Sequence, residues 1–472
     1  MPSFGDLPMP LSRSPVPLPS ADRSAPSLLA QRLRRAARGW DRRTTLRVEV
    51  PVAPVDALAW LDAQPLGPQT YWKGRGETEA RAAVGVAFGI DASSLHAVPV
   101  GARLLLDGLP AGARLYGTAR FAPDGAVAPE WRAFGRVRFV LPRVELVTSD
   151  RAAVLAVHLA PGEDAADAMA ALDGLAAPSA APGLRATMVG RQDAPGFDGW
   201  ADAIATSLDA FARGDLDKVV LARRSRFAFD APLDASALLR RLEAATPRCF
   251  HALVRPQPGG PAFVTATPER LFALRGRALE TEAVAGTRPR AAHDSDDDRL
   301  LDELLASSKD QREHAYVRRS IERRLQPLAR AIDVDENASA MTLARGRHLY
   351  TGVRATLRET ATPLDVLAAL HPTPAVGGTP RPAALALLAD LEPFDRGLYA
   401  GPVGWIGRDA AGVEAAEFAV GIRSGLVDGD ALTLYSGAGI VEGSEAGAEW
   451  AEIEHKIGDF SRVLGLAERS TA

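Results

Sequence analysis

The alternation of hydrophobic and polar residues changes character near residue 195. Between Tyr71 and Leu146, segments such as RLYGTARF and FGRVRFVLPRVEL alternate apolar and polar positions, which predicts half-buried antiparallel strands. From Phe197 to Phe211 the apolar residues instead recur at helical spacing, and Gly214 follows as a helix-ending glycine. The chain is therefore predicted to begin with a sheet-rich part and to continue with both strands and helices.

Three regions follow from these patterns. Residues 1–27 contain seven prolines and little apolar periodicity, which predicts a disordered tail. Residues 28–195 form the predicted sheet-rich part, which opens with a short helix at Ser27–Trp40. Residues 196–472 carry the candidate catalytic motifs, and the segment Ala176–Gly183 is the predicted joint between the two parts.

One strand is predicted to be covered on both faces. In DKVVLARRSRFAF, the residues Val219, Val220 and Leu221 form a continuous apolar run, and Lys218 stands at its start. A lysine held in such a partly desolvated position can serve as a general base. The alternative interpretation is a lysine whose side chain extends from the strand end to solvent.

Two strand ends and one interrupted strand supply further candidate residues. AFVTATPERL predicts a strand that ends at Thr267, with Glu269 in the following turn, where its carboxyl can face a cavity. LETEAVAGT predicts a strand that ends in Gly286 and Thr287. In EFAVGIRSGL, Arg423 interrupts an apolar strand, so its charge requires a partner. Either a bound carboxylate or a carboxylate of the protein could be that partner.

Two predicted helices carry carboxylates at the same spacing. SSKDQREHAYVRRSIERRL places Asp310 and Glu313 at positions i and i+3 of a helix that starts near residue 295. AEWAEIEHK places Glu449, Glu452 and Lys456 on one helix face. The two pairs could converge on one Mg²⁺, which prefers oxygen ligands and keeps several waters. The alternative for the second helix is a solvated face with an ordinary ion pair between Glu452 and Lys456.

The stretch before the second of these helices is rich in glycine. Gly437, Gly439 and Gly443 flank the apolar pair Ile440–Val441. This pattern predicts a strand that leaves through a turn open only to small residues, with backbone amides free to meet an anion. We therefore expect this segment to face a bound anionic group.

Composition narrows the class of protein. With 472 residues, of which 47% are hydrophobic and 24% charged, the chain is predicted to be a soluble globular protein with a large core. A net charge of -4 gives no basic surface for nucleic acid, and no apolar run reaches the ~18 residues of a membrane span. We therefore expect a small-molecule substrate, no nucleic-acid partner and no membrane contact.

The single cysteine and the histidines restrict the chemistry further. Cys249 alone cannot form an intramolecular disulfide or a thiolate zinc site, which fits a cytoplasmic protein. It lies in the apolar segment CFHALV without a nucleophile elbow, so no amidotransferase activity is expected in this chain. The eight histidines form no HExxH cluster, and the expected metal is therefore a hard ion such as Mg²⁺.

Seven motifs together carry a family resemblance. In chain order they are DKVVLAR, TPERL, EAVAGT, KDQREH, LHPTPAVGGTP, EPFDRGLYAGPVGW and SGAGIVEGSEAGAEWAEIEHK. In this order the chain resembles the chorismate-utilising enzymes, most closely the isochorismate synthases, over Phe197–Leu466 and more loosely toward the N-terminus. The resemblance implies an α+β fold with two antiparallel sheets flanked by helices in one large domain, and a site between the sheets.

The resemblance also implies a role for each matching residue. Lys218 would activate water, and Glu269 would protonate the departing hydroxyl. These groups have to act as base and acid on one substrate, so their surroundings must tune them differently. The residues expected to contact chorismate are Gly286, Thr287, His371, Tyr399, Arg423, Gly437, Gly439 and Lys456.

The implied cofactor is Mg²⁺, which would hold the ring carboxylate of chorismate. By motif position Glu313 and Glu452 would bind the metal directly, and Asp310 and Glu449 would lie close by. A dianionic substrate requires such positive charge, and the cationic side chains around the site add to it.

The implied reaction is the isomerisation of chorismate to isochorismate, in which water adds at ring C2 and the C4 hydroxyl leaves. Lys218 favours water over ammonia, because the anthranilate and aminodeoxychorismate synthases typically lack a lysine at this motif position. In the loop LHPTPAVGGTP, His371 and Thr373 resemble the isochorismate-forming type. The open alternatives are salicylate synthase, which also eliminates pyruvate, an anthranilate synthase component, and a silent chorismate-binding protein.

The resemblance leaves two possible destinations for the product. Menaquinone and siderophore synthesis both use isochorismate, and the overall similarity of the motif sequences favours menaquinone. We expect a cytoplasmic monomer that needs no amidotransferase subunit.

Overall fold

Strands dominate the structure, as the alternating pattern of the first part predicts. A computed structural model describes residues 24–98, 106–178, 183–184, 186–290, 293–343 and 346–465. Within these residues the strands form two sheets, and every neighbouring pair of strands is antiparallel. The predicted fold class, α+β with two antiparallel sheets flanked by helices, is therefore confirmed.

Twelve strands form the first sheet in the described part of the chain. They are β1 Leu46–Val52, β2 Gln69–Lys73, β3 Ala80–Val84, β7 Val144–Thr148, β8 Ala153–Leu159, β9 Met188–Ala194, β10 Lys218–Phe229, β11 Phe250–Arg255, β12 Ala262–Thr267, β18 Gly378–Thr379, β21 Ser424–Asp428 and β22 Ala431–Ile440. Their order across the sheet is β1-β8-β7-β3-β2-β11-β12-β21-β22-β10-β18, and β9 pairs with β10.

Ten described strands form the second sheet. They are β4 Phe88–Ala92, β5 Arg114–Ala119, β6 Val137–Leu141, β13 Arg270–Arg275, β14 Ala278–Pro289, β15 Ala329–Val334, β16 Ser339–Thr342, β17 Gly346–Leu357, β19 Pro402–Arg408 and β20 Glu414–Val420. Their order is β15-β17-β14-β13-β20-β19-β5-β6-β4, and β16 pairs with β17.

The helices described by the structure are distributed along the whole chain. They are α1 Ala25–Arg38, α2 Ala57–Ala63, α3 Ala166–Asp173, α4 Phe197–Ala212, α5 Ala235–Ala245, α6 Asp294–Ala306, α7 Ser308–Leu325, α8 Pro363–Leu370, α9 Arg381–Leu391 and α10 Ala446–Val463. No helix among the residues described has both the length and the apolar composition to cross a membrane.

Strands from both sides of residue 195 build each sheet. In the first sheet β2 pairs with β11, and in the second β5 pairs with β19. The hydrophobic core is shared in the same way, since one cluster of buried side chains includes Leu146, Leu221, Phe418 and Ile453. In that cluster the rings of Phe272 and Phe418 stack with their centroids 5.5 Å apart.

Several predicted elements are confirmed. The helix predicted from Phe197 is α4, and Gly214 follows it with a φ of 75°, a left-handed conformation that glycine adopts at little cost. The strand predicted to be covered on both faces is β10, where Val219, Val220 and Leu221 are all buried.

The N-terminal boundary differs from the prediction. Helix α1 begins at Ala25, so residues 25–27 are helical and do not belong to a disordered tail. Pro26 lies in the first turn, where a missing N–H costs no helical hydrogen bond, so this proline does not prevent the helix. Residues 1–23 and 466–472, and residues 179–182 of the predicted joint, lie outside the described residues.

Three boundaries near the candidate residues also differ. Gly437 and Gly439 lie within β22, paired with β10, and only Gly443 is in the turn that follows. Strand β14 does not end at Gly286 but passes through it with a register irregularity and continues to Pro289. Arg423 has a φ of 46° and lies in the short connection between β20 and β21, so it does not interrupt a strand.

The two helices that carry the candidate carboxylates pack on different sheets. Helix α7 packs against β14 of the second sheet, and α10 packs against β22 of the first. Helix α10 presents Ile453 and Ile457 to the core, and both are buried. On the same helix Glu449 makes an ion pair with Lys309 of α7 at 2.9 Å, so the two helices meet through charged side chains.

Candidate active site

A cavity of about 220 Å³ lies between α7, α10, β14 and β22. Most of the residues singled out from the sequence line it: Glu269, Gly286, Thr287, Asp310, Glu313, Tyr399, Arg423, Gly437, Gly439, Glu449, Glu452 and Lys456. These residues lie as far apart in the sequence as positions 269 and 456. The fold brings them together at one cavity.

Lys218 reaches this cavity through Glu313. The lysine is the first residue of β10 and is 0% exposed, so its side chain does not extend to solvent. Its Nζ donates to Glu313 Oε1 at 2.8 Å. The alternative of a lysine extending to solvent is therefore wrong. The buried amine does not itself line the cavity but contacts Glu313, which does.

Each of the four carboxylates of α7 and α10 that line the cavity has a cation of the chain as partner. The nitrogen–oxygen distances are 2.8 Å for Glu313–Lys218, 2.5 Å for Glu452–Lys456, 2.9 Å for Glu449–Lys309 and 2.7 Å for Asp310–Arg288. The ion pair between Glu452 and Lys456 that the plainer interpretation predicts is thus present, but it lies in the cavity wall and not on a solvated face.

The pairing affects the two carboxylates of α10 differently. Burial raises the pKa of Glu449, and its contact with Lys309 only partly opposes this effect. Burial also acts on Glu452, but the charge of Lys456 outweighs it and leaves the pKa of Glu452 below its usual value. Glu452 is therefore the more readily ionised of the two.

The carboxylates at the cavity determine which metal ion could bind there. Within the described residues no group of three or more aspartates, glutamates, histidines or cysteines is arranged to hold a metal. The reason is visible in the ion pairs, because each carboxylate points to its own cation. The chemistry of the set nevertheless fits Mg²⁺, since four carboxylates on two helices face one cavity and offer oxygen ligands only.

Two glycines allow the carboxylates to approach the strands. A Cβ at Gly439 would lie 2.3 Å from Glu313 Oε1 and 3.4 Å from Lys218 Cε. A Cβ at Gly286 would lie 2.9 Å from Asp310 Oδ1, and the φ of 71° there also favours glycine. Any larger residue would displace a carboxylate of α7, so these glycines shape the cavity.

The turn between β12 and β13 places Glu269 in the cavity wall. Its side chain is buried, and its backbone carbonyl accepts from Val420 N at 3.1 Å. Burial raises the pKa of Glu269 to about 8, and the like charge of Glu282 acts in the same direction. Lys218, Lys456 and Arg75 oppose the shift. The carboxyl of Glu269 is therefore protonated at neutral pH and can donate a proton.

Cationic and polar groups line the rest of the cavity. Lys456 Nζ also donates to Gly437 O at 2.8 Å, which fixes the amine beside β22. The Thr287 hydroxyl lies 3.0 Å from His348 Nδ1. The ring of Tyr399 stacks on that of Tyr435 with centroids 5.6 Å apart.

The structure does not bring His371 to this cavity. Its ring is buried elsewhere, with Nε2 3.2 Å from Phe121 O and an edge-on contact to the Phe121 ring. Burial lowers the pKa of His371 to about 4, so the ring is neutral at pH 7. The predicted contact between His371 and substrate therefore has no support in its position, and Phe121 is the partner that sequence patterns could not identify.

Three cavity residues with basic side chains were not identified as site residues from the sequence. Lys309 and Arg288 are the partners of two carboxylates, and His348 lines the wall with Nδ1 near Thr287. Burial, with Arg423 and Lys456 nearby, lowers the pKa of His348 to about 4. Lys309 is the one with a sequence signal, because it is one of only four lysines and precedes Asp310 in KDQREH.

Known proteins are similar to this chain in sequence and in architecture. A family model described as chorismate binding enzyme matches residues 31–465. The chain is 36% identical over 365 residues to isochorismate synthase 2, chloroplastic, of Arabidopsis thaliana, with 74% of this chain and 64% of that protein covered. It is 32% identical over 417 residues to isochorismate synthase MenF of Escherichia coli, with 87% and 91% covered.

The length of the match differs between these relatives. The chain spans 64% of the Arabidopsis thaliana protein and 62% of isochorismate synthase, chloroplastic, of Catharanthus roseus, which is less than two thirds of each. The solved structure of MenF, the menaquinone-specific isochorismate synthase of Escherichia coli, superposes with a TM-score of 0.81 at 31% identity and covers 94% of this chain and 100% of that one. Anthranilate synthase component I of Streptococcus pneumoniae, at 19% identity and a TM-score of 0.64 over 83% of this chain and 93% of that one, shares the fold.

Proposed function

The chain belongs to the family of chorismate-binding enzymes, and from this membership we propose that it is an isochorismate synthase. In the proposed reaction, water adds to chorismate at ring C2 and the C4 hydroxyl leaves, so the product is an isomer of the substrate. The single observation that carries the proposal is that Glu269 and the two carboxylate pairs line one cavity, with the buried Lys218 hydrogen-bonded to one of those carboxylates, Glu313.

The proposed acid and base differ in the way the reaction requires. Lys218 takes a proton from the attacking water, and its burial keeps the amine away from competing solvent. Glu269 gives its proton to the departing C4 hydroxyl, which leaves as water. A carboxyl that is still protonated at neutral pH is suited to this step, because burial and Glu282 hold its proton.

The proposed substrate contacts use the cationic part of the cavity. Chorismate carries two carboxylates, and Arg423 and Lys456 line the wall where such groups can be neutralised. Thr287 and the backbone at Gly437 and Gly439 supply polar contacts in the same wall. No direct role is assigned to His371, since its ring contacts Phe121.

The proposed cofactor is Mg²⁺, held by Glu313 and Glu452 with Asp310 and Glu449 close by. When bound, the ion would neutralise a substrate carboxylate and stabilise the charge that develops in the reaction. Support comes from the oxygen-only donor set and from the missing Cβ at Gly439, which lets Glu313 reach the cavity. Lys218 and Lys456 make ion pairs with these two carboxylates.

Metal dependence provides one prediction. Chelation with EDTA is expected to abolish activity, and Mg²⁺ is expected to restore it. Glu313→Gln and Glu452→Gln should each raise the Mg²⁺ concentration for half-maximal rate by ~10-fold or more, because each removes an ionised oxygen ligand. Calorimetric titration with Mg²⁺ should show the same loss of affinity without substrate. Glu322→Gln, on α7 but outside the cavity wall, serves as the control, and full activity in chelator would exclude the metal role.

The product provides a second prediction. Purified protein with chorismate and Mg²⁺ should give a reversible mixture of chorismate and isochorismate with little salicylate or pyruvate, as measured by chromatography. Salicylate as the main product would identify a salicylate synthase, and anthranilate formed with ammonia would identify the amine-using branch. Binding of chorismate without turnover would indicate a silent binding protein.

The proposed context is menaquinone synthesis. It is supported by the similarity to the menaquinone-specific enzyme of Escherichia coli over 94% of this chain and the whole of that one. An amidotransferase subunit is not part of the proposal, since water and not ammonia is the nucleophile. The monomeric state and the cytoplasmic location stay predictions.

A further inference from the structure

Arg75 and Glu282 hold the turn that carries Glu269 from both sides. Arg75 Nη1 donates to Pro268 O at 2.6 Å, the carbonyl immediately before Glu269. Glu282 Oε1 accepts from Arg270 N at 2.8 Å, the amide immediately after it. The backbone on each side of Glu269 is therefore tied to one member of the same pair.

The pair itself is a bidentate ion pair with little exposure. Arg75 Nη1 and Nη2 donate to Glu282 Oε1 and Oε2 at 2.8 and 2.7 Å, and the side chains are 18% and 2% exposed. The Arg75 guanidinium also lies 5.3 Å from the centre of the Phe250 ring. A planar fork fixed by two parallel hydrogen bonds and by an aromatic ring has little freedom to move.

The turn that carries Glu269 lies where the chain passes from one sheet to the other. β12 belongs to the first sheet and β13 to the second, so Glu269 lies where the chain crosses between sheets. Arg75 follows β2 of the first sheet, and Glu282 lies on β14 of the second. The pair thus joins the two sheets at the position of the acid, across 207 residues of sequence.

We propose that Arg75 and Glu282 form a clamp that positions the Glu269 carboxyl toward the substrate. Arg75 and Glu282 are positioning residues, because they act through the turn and do not line the cavity. This inference rests on the proposed role of Glu269 as the acid. Through Arg75, the sheet-rich N-terminal part would help to position a catalytic residue.

The charges around Glu269 make the clamp testable without turnover. The titratable and charged groups that face Glu269 are Glu282 on β14, Lys218 on β10, Lys456 on α10, Arg75 after β2 and Tyr399 before β19. Glu282 raises the pKa of Glu269 and Arg75 lowers it. Glu282→Gln removes the like charge and leaves the cation, so it should move the titration of Glu269 to lower pH. Arg75→Lys keeps the cation and loses the fork, so it should change the geometry more than the charge.

Two readouts on the full chain test the clamp. The first is the infrared band of the protonated Glu269 carboxyl, assigned by its loss in Glu269→Gln, and followed against pH. We expect a midpoint of about 8 in the natural chain, a lower midpoint in Glu282→Gln, and a midpoint near that of the natural chain in Arg75→Lys. The second is steady-state kinetics, where Arg75→Lys should lower kcat by ~10- to 10²-fold and change KM less than ~3-fold.

A matched variant separates positioning from stability. Arg143 and Glu163 form another bidentate pair with little exposure, and neither lines the cavity, so Arg143→Lys should cost comparable stability and leave kcat unchanged. The clamp is overturned if Arg75→Lys keeps its kcat or if Glu282→Gln leaves the infrared midpoint in place. A natural chain that does not turn over chorismate defeats the proposed function instead. The clamp is then decided without substrate by the frequency and width of the same infrared band, which report the hydrogen bonding of the carboxyl: they should change in Arg75→Lys, and an unchanged band would overturn the clamp.

Discussion

Replacing Lys218 with either alanine or arginine is expected to lower the turnover of chorismate by at least ~10²-fold, the usual size of a general-base effect. Arginine keeps the charge but cannot give up its proton in a protein, so it cannot accept one from water. Both variants should retain the fold, because the backbone of β10 is held by its pairing with β22. Steady-state kinetics and circular dichroism check both statements.

The chain offers a matched control for this prediction. Lys73 lies on β2, makes an ion pair with Glu243 at 3.6 Å and does not line the cavity. Lys73→Arg is therefore expected to have nearly full activity. If Lys218→Arg also kept its activity, Lys218 would supply only positive charge and the base would have to be found elsewhere.

Glu269→Gln is the second substitution with a large expected effect, a loss of ~10²-fold or more in turnover. The amide has nearly the shape of the protonated carboxyl but no proton to give to the leaving hydroxyl. Because the proposed acid must be protonated, the rate of the natural chain should fall as the pH rises through about 8, where Glu269 ionises. A pH profile of kcat measures this limb.

The glutamine variant also tests which group causes the fall of kcat near pH 8. Its residual turnover should no longer fall near pH 8, because the titrating group has been removed. A limb that persists unchanged in Glu269→Gln would assign it to another group. Full activity of the variant would remove Glu269 from the mechanism.

Much of the site was accessible from local sequence patterns. The i and i+3 spacing of Asp310 and Glu313 predicted a helix face, and α7 has that face in the cavity wall. The same holds for Glu449 and Glu452 on α10. These signals are local because a helix fixes the direction of its side chains over one or two turns.

What the sequence could not supply is the set of contacts across elements. Arg75 lies 207 residues from Glu282, and Lys309 lies 140 residues from Glu449. Such pairs depend on how the sheets and helices pack, and the spacing of apolar and polar residues along the chain does not predict them. The position of His371 also depends on such a contact, since its ring lies 3.2 Å from the backbone carbonyl of Phe121, 250 residues earlier in the chain. Its contact with substrate stays a prediction.

The glycine-rich segment shows how a correct residue can be chosen for an incomplete reason. Gly437 and Gly439 were expected in a turn, yet both lie within the strand pairing between β22 and β10. At Gly439 the requirement is space and not backbone freedom, because a Cβ would lie 2.3 Å from Glu313 Oε1. Only the tertiary structure distinguishes the two requirements.

The most direct measurement of the central claim, that solvent water attacks chorismate and the C4 hydroxyl departs, is the reaction in H₂¹⁸O. Purified protein, chorismate and Mg²⁺ are mixed in labelled water, and the product is analysed by mass spectrometry before the reverse reaction contributes. The account predicts isochorismate with one ¹⁸O atom, located at C2. Isochorismate without label would mean that the hydroxyl moved within the molecule, and it would contradict the assignment of Lys218 as the base that activates water.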